Sequence, residues 1–208
     1  METKTNNGQL RQFVSSVVAN MPDVPANIMQ GWIENPKGLQ KVLSEALLPP
    51  HKFEVWKTVK LGGFQSRFAI REAIKKPGMQ IGKYADDILE KIPLATEETE
   101  MTIVVLSVAE LGFKNGAQYG DICNRAKDLG LELCPAEVGP QLRLQYGDQS
   151  MGEWLVIAME PISDSDGDLG LFSVVRGDGG LWLHGGYGDS AYFWGGYDRF
   201  VFSLPQVK

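Results

Sequence analysis

The chain has 208 residues, 43% of them hydrophobic and 22% charged, with a net charge of −6, a composition that excludes intrinsic disorder and is sufficient for a packed core. The longest apolar run, Met101 to Ala109, is interrupted by Thr102 and Ser107 and falls well short of the roughly 20 residues that span a bilayer. Residues 1–13 carry no apolar core of the kind a secretory signal needs, so the expectation is a cytoplasmic protein with no membrane partner.

Residues 9 to about 47 predict three short helices. Leu10, Phe13, Val14, Val17 and Val18 recur at helical spacing, as do Val24, Ile28, Met29, Trp32 and Ile33, then Leu39, Val42, Leu43 and Leu47. Pro22, Pro25 and Pro36 punctuate them, because proline fits a first helical turn and breaks an interior one. A small N-terminal helical bundle or cap over 1–50 is expected. Pro49-Pro50 makes a stiff break, and a second, α+β domain is expected over 51–208.

That domain opens on Phe53 to Leu61, which alternates as a strand does and ends at Gly62-Gly63. A helix from about Gln65 to Lys76 stops at Pro77-Gly78, and another from about Lys83 to Lys91 should turn Tyr84, Ile88 and Leu89 inward. Met101 to Val108, rich in β-branched residues, predicts a central buried strand. Tyr119 to Leu129 predicts a helix closed by Gly130, and Ala136 to Leu144 a short further one. From Glu153 the pattern turns to strands between Gly and Asp turns: Trp154–Glu160, Leu169–Arg176, Leu181–His184 and Arg199–Leu204, an expected antiparallel meander with a hairpin at Asp178-Gly179. The fold class is therefore α+β, a mixed α/β core ending in β-structure.

Five segments of this domain, Phe53 to Gly62, Val108 to Phe113, Leu131 to Tyr146, Ala158 to Ile162 and Asp164 to Asp168, resemble a family of uncharacterised bacterial proteins over roughly residues 53–204. The resemblance implies no activity, cofactor or site residue.

Charge is unevenly placed. Lys52 to Lys83 carries eight basic and two acidic residues, a local +6, and Gly147 to Lys208 three basic and nine acidic, a local −6. Arg67, Arg71 and Lys75 fall at successive fourth positions of one predicted helix and so project from one face. Such a face can grip an acidic protein or a phosphate backbone; it is also what a merely solvated helix shows. Residues 116–146 can be read as a helix-turn-helix of a DNA-binding regulator, but carry three basic residues against four acidic ones and a long, apolar connection.

For catalysis the one nucleophile and base pairing is Cys134 with His184, oriented by Asp189 or Glu137 as in a cysteine hydrolase. Against it, Pro135 lacks the N–H that would help form an oxyanion hole. A hydrolase or transferase with another site is the alternative class. Two cysteines do not make a disulfide framework or a paired zinc site. Asp164-Ser-Asp-Gly-Asp168 fails the calcium-loop pattern, since glycine at its sixth position places Ile162 first and Ser173 twelfth; it reads as an acidic turn. No cofactor or metal is expected.

Residues Trp182 to Phe202 hold eight aromatics between paired glycines. Trp182, Phe200 and Phe202 suit a core, whereas Tyr187, Tyr192, Trp194 and Tyr197 are expected in exposed loops, where aromatic platforms meet ligands or protein hot spots. The sequence thus favours a non-catalytic binding protein with a protein or other acidic partner, using the basic helix face and the aromatic loop.

Overall fold

The computed structural model describes residues 7–47 and 53–205. The chain divides into two compact units, Met1–Pro50 and His51–Lys208. In the first, helices α1 (Asn7–Ala19), α2 (Ala26–Glu34) and α3 (Pro36–Leu47) follow one another. Asn35 separates the last two: its side chain accepts from the Gly38 N–H at 2.9 Å while Pro36 takes the first helical position, where a missing N–H costs nothing. The stripes of α1 and α2 are present but not buried; Leu10, Val14, Val18, Ile28 and Ile33 are all exposed.

The second unit runs β1 (Lys57–Leu61), α4 (Arg67–Lys75), β2 (Gln80–Ile81), α5 (Lys83–Leu89), β3 (Thr99–Ser107), β4 (Ala117–Gln118), α6 (Tyr119–Asp128), α7 (Val138–Gln145), β5 (Trp154–Ile157), β6 (Ile162–Ser163), β7 (Leu169–Gly177), β8 (Gly180–Tyr187), β9 (Phe193–Trp194) and β10 (Arg199–Ser203). Helix and strand share one domain around a mixed sheet, an α+β fold. Ser66 caps α4, accepting from the Ala69 N–H at 3.1 Å, and Gly78 follows it at φ 87°, a value open to glycine.

The main sheet has the order β1-β3-β10-β5-β7-β8-β2, with β6 paired to β7, and β4 and β9 form a separate antiparallel pair. Here the expected meander needs correction. Strands β5, β7 and β8 are consecutive and antiparallel, but β10 does not extend them past β8. It inserts between β3 and β5, antiparallel to the first and parallel to the second. The strand signal in Arg199 to Leu204 shows that the segment pairs; where it pairs is decided by which edges are open once β1–β3 and β5–β8 exist.

Register assigns the two faces. Phe200 lies opposite Val156, and Val156 opposite Ser173, so these share a face and Phe172 points to the other. On the Phe172 side lie α5 and α7. A methyl group at Gly139 of α7 would stand 2.6 Å from Phe172, and one at Gly170 of β7 would stand 2.6 Å from Ile88 of α5. On the Phe200 side, α6 brings Tyr119 to stack on Phe200 with centroids 5.9 Å apart, and Trp194 of β9 meets the same ring edge-on at 5.2 Å.

Two expectations about which way residues face are revised. Tyr84 is exposed, with the Lys83 ammonium 4.9 Å from its ring, while Ala85, Ile88 and Leu89 are the buried residues of α5. Residues Val138 to Arg143 of α7 are all buried, so the helix that a helix-turn-helix would lay in a major groove is a core element with no face to offer one. Arg143, fully buried, donates to Gln149 Oε1 at 2.6 Å and to the Tyr146 carbonyl. Its guanidinium thereby caps the C-terminal end of α7, and burial lowers its pKa to about 10.

Candidate functional site

The basic face of α4 is largely consumed inside the domain. Arg67 donates through Nε to the Ile92 carbonyl at 2.8 Å. Arg71 donates to Asp86 Oδ1 at 2.6 Å and also to Glu90, tying α4 to α5. Burial works against its charge, but its hydrogen bonds to both carboxylates outweigh it and hold the guanidinium above its ordinary pKa. Lys75 alone of the three stays exposed with no partner among the described residues. Periodicity placed the three cations on one face; it could not show that Asp86 and Glu90 meet Arg71 or that the Ile92 carbonyl takes Arg67.

The aromatic segment divides differently from expectation. Tyr187 is 62% exposed, Tyr192 38% and Tyr197 85%, but Trp194 is only 8% exposed and its Nε1 is buried without a hydrogen-bond partner. Trp194 is a core residue because β9 pairs with β4 and drives its ring onto Phe200. From there a chain of rings leads outward. Tyr192 meets Trp194 edge-on at 5.2 Å and stacks on Tyr187 at 4.6 Å with 21° between the planes. The surface pair is thus seated on the core through Trp194, and its geometry is set before anything binds. Phe193, beside them in sequence, is also exposed.

Residues 187–192 also form one wall of a cleft of about 330 Å³. Gly188 and Ser190 come from this loop; Tyr119, Cys123, Asn124 and Lys127 from α6; Met159, Glu160 and Pro161 from the connection between β5 and β6; Leu133 and Leu169 complete the apolar part. Local folding fixes all three walls. The first N–H groups of α6, which have no partner inside the helix, donate to the loop: Tyr119 to the Tyr192 carbonyl and Gly120 to the Ser190 carbonyl, each at 2.9 Å. The Tyr119 hydroxyl donates to the Met159 carbonyl at 2.7 Å and accepts from the Met159 N–H at 3.0 Å, which pins the opposite wall. Burial pushes that phenol far above its usual pKa.

Cys123 faces this cleft as a resting thiol. Burial raises its pKa, opposed by the hydrogen bond with Tyr119 and by Lys127 and assisted by Glu160. The ammonium of Lys127 and the carboxylate of Glu160 are exposed and have no partner among the described residues. None of these cleft residues was singled out from sequence. Tyr119, Cys123 and Lys127 are spaced four apart and so share one face of α6, a signal that was there; Glu160 and Ser190 reach the site only through the tertiary fold.

The remaining constellations are structural. Cys134 is fully enclosed, its thiol near the Val201 carbonyl at 3.5 Å, and burial alone drives its pKa far up. His184 pairs through Nδ1 with the Gly185 carbonyl and lies against Trp154 at 5.3 Å; no hydrogen bond joins it to Cys134 among the described residues. The acidic turn is closed internally, Asp164 Oδ1 accepting from the N–H groups of Asp166 and Asp168, and is tied to α5 by Lys83 with Asp166 at 3.6 Å and by the Ser165 hydroxyl, which donates to Asp87 at 2.6 Å.

Comparison with known proteins finds no matching family model, no similar curated protein and no similar solved structure.

Proposed function

We propose that this chain is a binding protein whose recognition surface is the aromatic corner built by Tyr187 and Tyr192, with Tyr197 and Phe193 nearby in sequence. One observation carries the reading: two tyrosines stacked on each other stand exposed, although the ring beneath them, Trp194, is buried in the core. Rings held rigid at the surface give contact area at little cost in side-chain entropy, which is why tyrosine concentrates in the energetic centres of protein interfaces. The partner class is a protein. The basic face of α4 contributes Lys75 at most, because Arg67 and Arg71 are engaged internally. The N-terminal helices are read as a small bundle or cap.

Affinity capture of the tagged, full-length chain from lysate of its source organism, with nuclease present, tests the reading. The wild type and a Lys75→Glu variant are expected to recover the same protein, and a Tyr187→Ser, Tyr192→Ser double variant to lose it. Equal recovery by the double variant would overturn the proposal, and recovery of nucleic acid in place of protein when nuclease is omitted would replace it with a nucleic-acid reading.

A further inference from the structure

Lys127 and Glu160 stand on different walls of the cleft, one two turns into α6 and one directly after Met159. Both side chains line the same cleft, and among the described residues no ion pair forms between them. Their walls cannot simply collapse together. The Met159 backbone is held on both its N–H and its carbonyl by the Tyr119 hydroxyl, and α6 is fixed at its start by the 190–192 loop. The result is a cleft with one positive and one negative group, Asn124 beside the former, and Leu133, Pro161 and Leu169 as its apolar part. A purely anionic or cationic ligand would be repelled by one side. A neutral ligand would engage neither charge. A molecule carrying an ammonium and a carboxylate meets both with charge-assisted hydrogen bonds.

We infer that the cleft binds a small zwitterion of the amino-acid or dipeptide class, its carboxylate on Lys127 and its ammonium on Glu160. A cleft of about 330 Å³ accommodates molecules of that size. Because both charged groups are exposed, water screens each contact and the affinity falls in the millimolar range. The inference stands apart from the aromatic reading, sharing with it only the loop at 187–192.

Nuclear magnetic resonance titration of the full-length, isotope-labelled protein tests it, following the amides of Gly120, Asn124, Gly188 and Ser190. The probes are phenylalanine and glycyl-phenylalanine, each compared with its N-acetylated and its C-amidated form. Saturable shifts with a free zwitterion are expected, weakened about tenfold or more by either block; which of the two probes binds tighter identifies the length the cleft prefers. Lys127→Gln and Glu160→Gln should each weaken binding to a similar degree, and Lys127→Arg and Glu160→Asp, which keep the charge, should retain it. No saturable shift with either free probe, equal binding of the blocked forms, or unchanged binding in both neutral variants overturns the inference. The Tyr187→Ser, Tyr192→Ser variant keeps the zwitterion if the cleft acts alone, so loss of protein capture and loss of small-molecule binding report separately on the two proposals.

Discussion

The side-chain amide of Gln145 completes the edge of the sheet at Lys60, accepting from its N–H at 3.0 Å and donating to its carbonyl at 2.9 Å. An edge strand ordinarily leaves these groups free to pair with another chain, and here a glutamine at the end of α7 imitates the missing neighbour. Glu137, at the other end of the same helix, takes up further backbone groups, accepting from the N–H groups of Gly62 at 2.9 Å and Ala95 at 2.7 Å. Helix α7 thus closes the outer side of β1. Replacing Gln145 with Ala should cost about 1–2 kcal/mol and raise the tendency to self-associate. Urea midpoints and light scattering at matched concentrations check both effects; an unchanged midpoint would show that water replaces the glutamine without loss.

The seat of α7 on the sheet is equally specific. A methyl group at Gly139 would lie 2.6 Å from Phe172, closer than any carbon contact, so Gly139→Ala should destabilise the domain by about 1–3 kcal/mol through overpacking. Trimming the partner should recover part of that loss. In a double-mutant cycle, Gly139→Ala with Phe172→Ala, which removes the Cγ and Cδ2 atoms that stand 2.7 and 2.6 Å from that methyl group, is expected to be less unstable than the two single effects added together.

Tyr119 is the pin between two walls of the cleft. Tyr119→Phe keeps the ring on Phe200 but leaves the N–H and carbonyl of Met159 without their shared partner, a cost of about 1–3 kcal/mol. Denaturant unfolding gives the magnitude, and hydrogen exchange gives the location: faster exchange at the Met159 amide, with Phe200 unaffected, is the expected pattern.

Stability should fall on the alkaline side in a way that Tyr146 partly sets. Burial pushes its phenol up to about 12, with help from the hydrogen bond to Glu153 at 2.6 Å. Because the folded value lies above the ordinary 10, the folded state holds the proton more tightly; this contribution is complete below pH 10 and is lost as the pH rises toward 12. Tyr146→Phe should flatten that limb of a stability-against-pH curve. The slope that remains includes Tyr119, Cys123 and Cys134, whose pKa values are also raised by burial, and is opposed by Arg143, whose lowered pKa makes its own contribution grow as the pH rises.

Elements were more legible in the sequence than their partners. The strand at Met101 to Val108, the helix at Tyr119 and the hairpin at Asp178-Gly179 follow from local periodicity and turn chemistry, and the structure has β3, α6 and the β7–β8 turn at these places. What local pattern cannot supply is the other side of a contact. Arg71 looks free until α5 sets Asp86 and Glu90 against it. Trp194, flanked by glycines, looks like a loop residue until β4 pairs with β9 and turns it inward. The Ala136 to Leu144 segment carries Glu137, Gln141 and Arg143, polar enough to suggest a surface helix, but each polar group finds its partner inside: Glu137 and Gln141 in each other at 3.0 Å, Arg143 in Gln149. The cleft was illegible for the same reason, since its walls come from five separate stretches of chain.

The position of β10 bears on how the domain is made. Strands β1 and β3 form one ladder and β5, β7 and β8 another, and in the main sheet only residues 199–203 join them. Once residue 187 has been synthesised the chain therefore holds the strands of both ladders but not the one that joins them. Whatever structure the nascent chain acquires up to that point, the single sheet forms after synthesis has passed Ser203, and until then the two open edges are where a chaperone or a misplaced neighbour would pair.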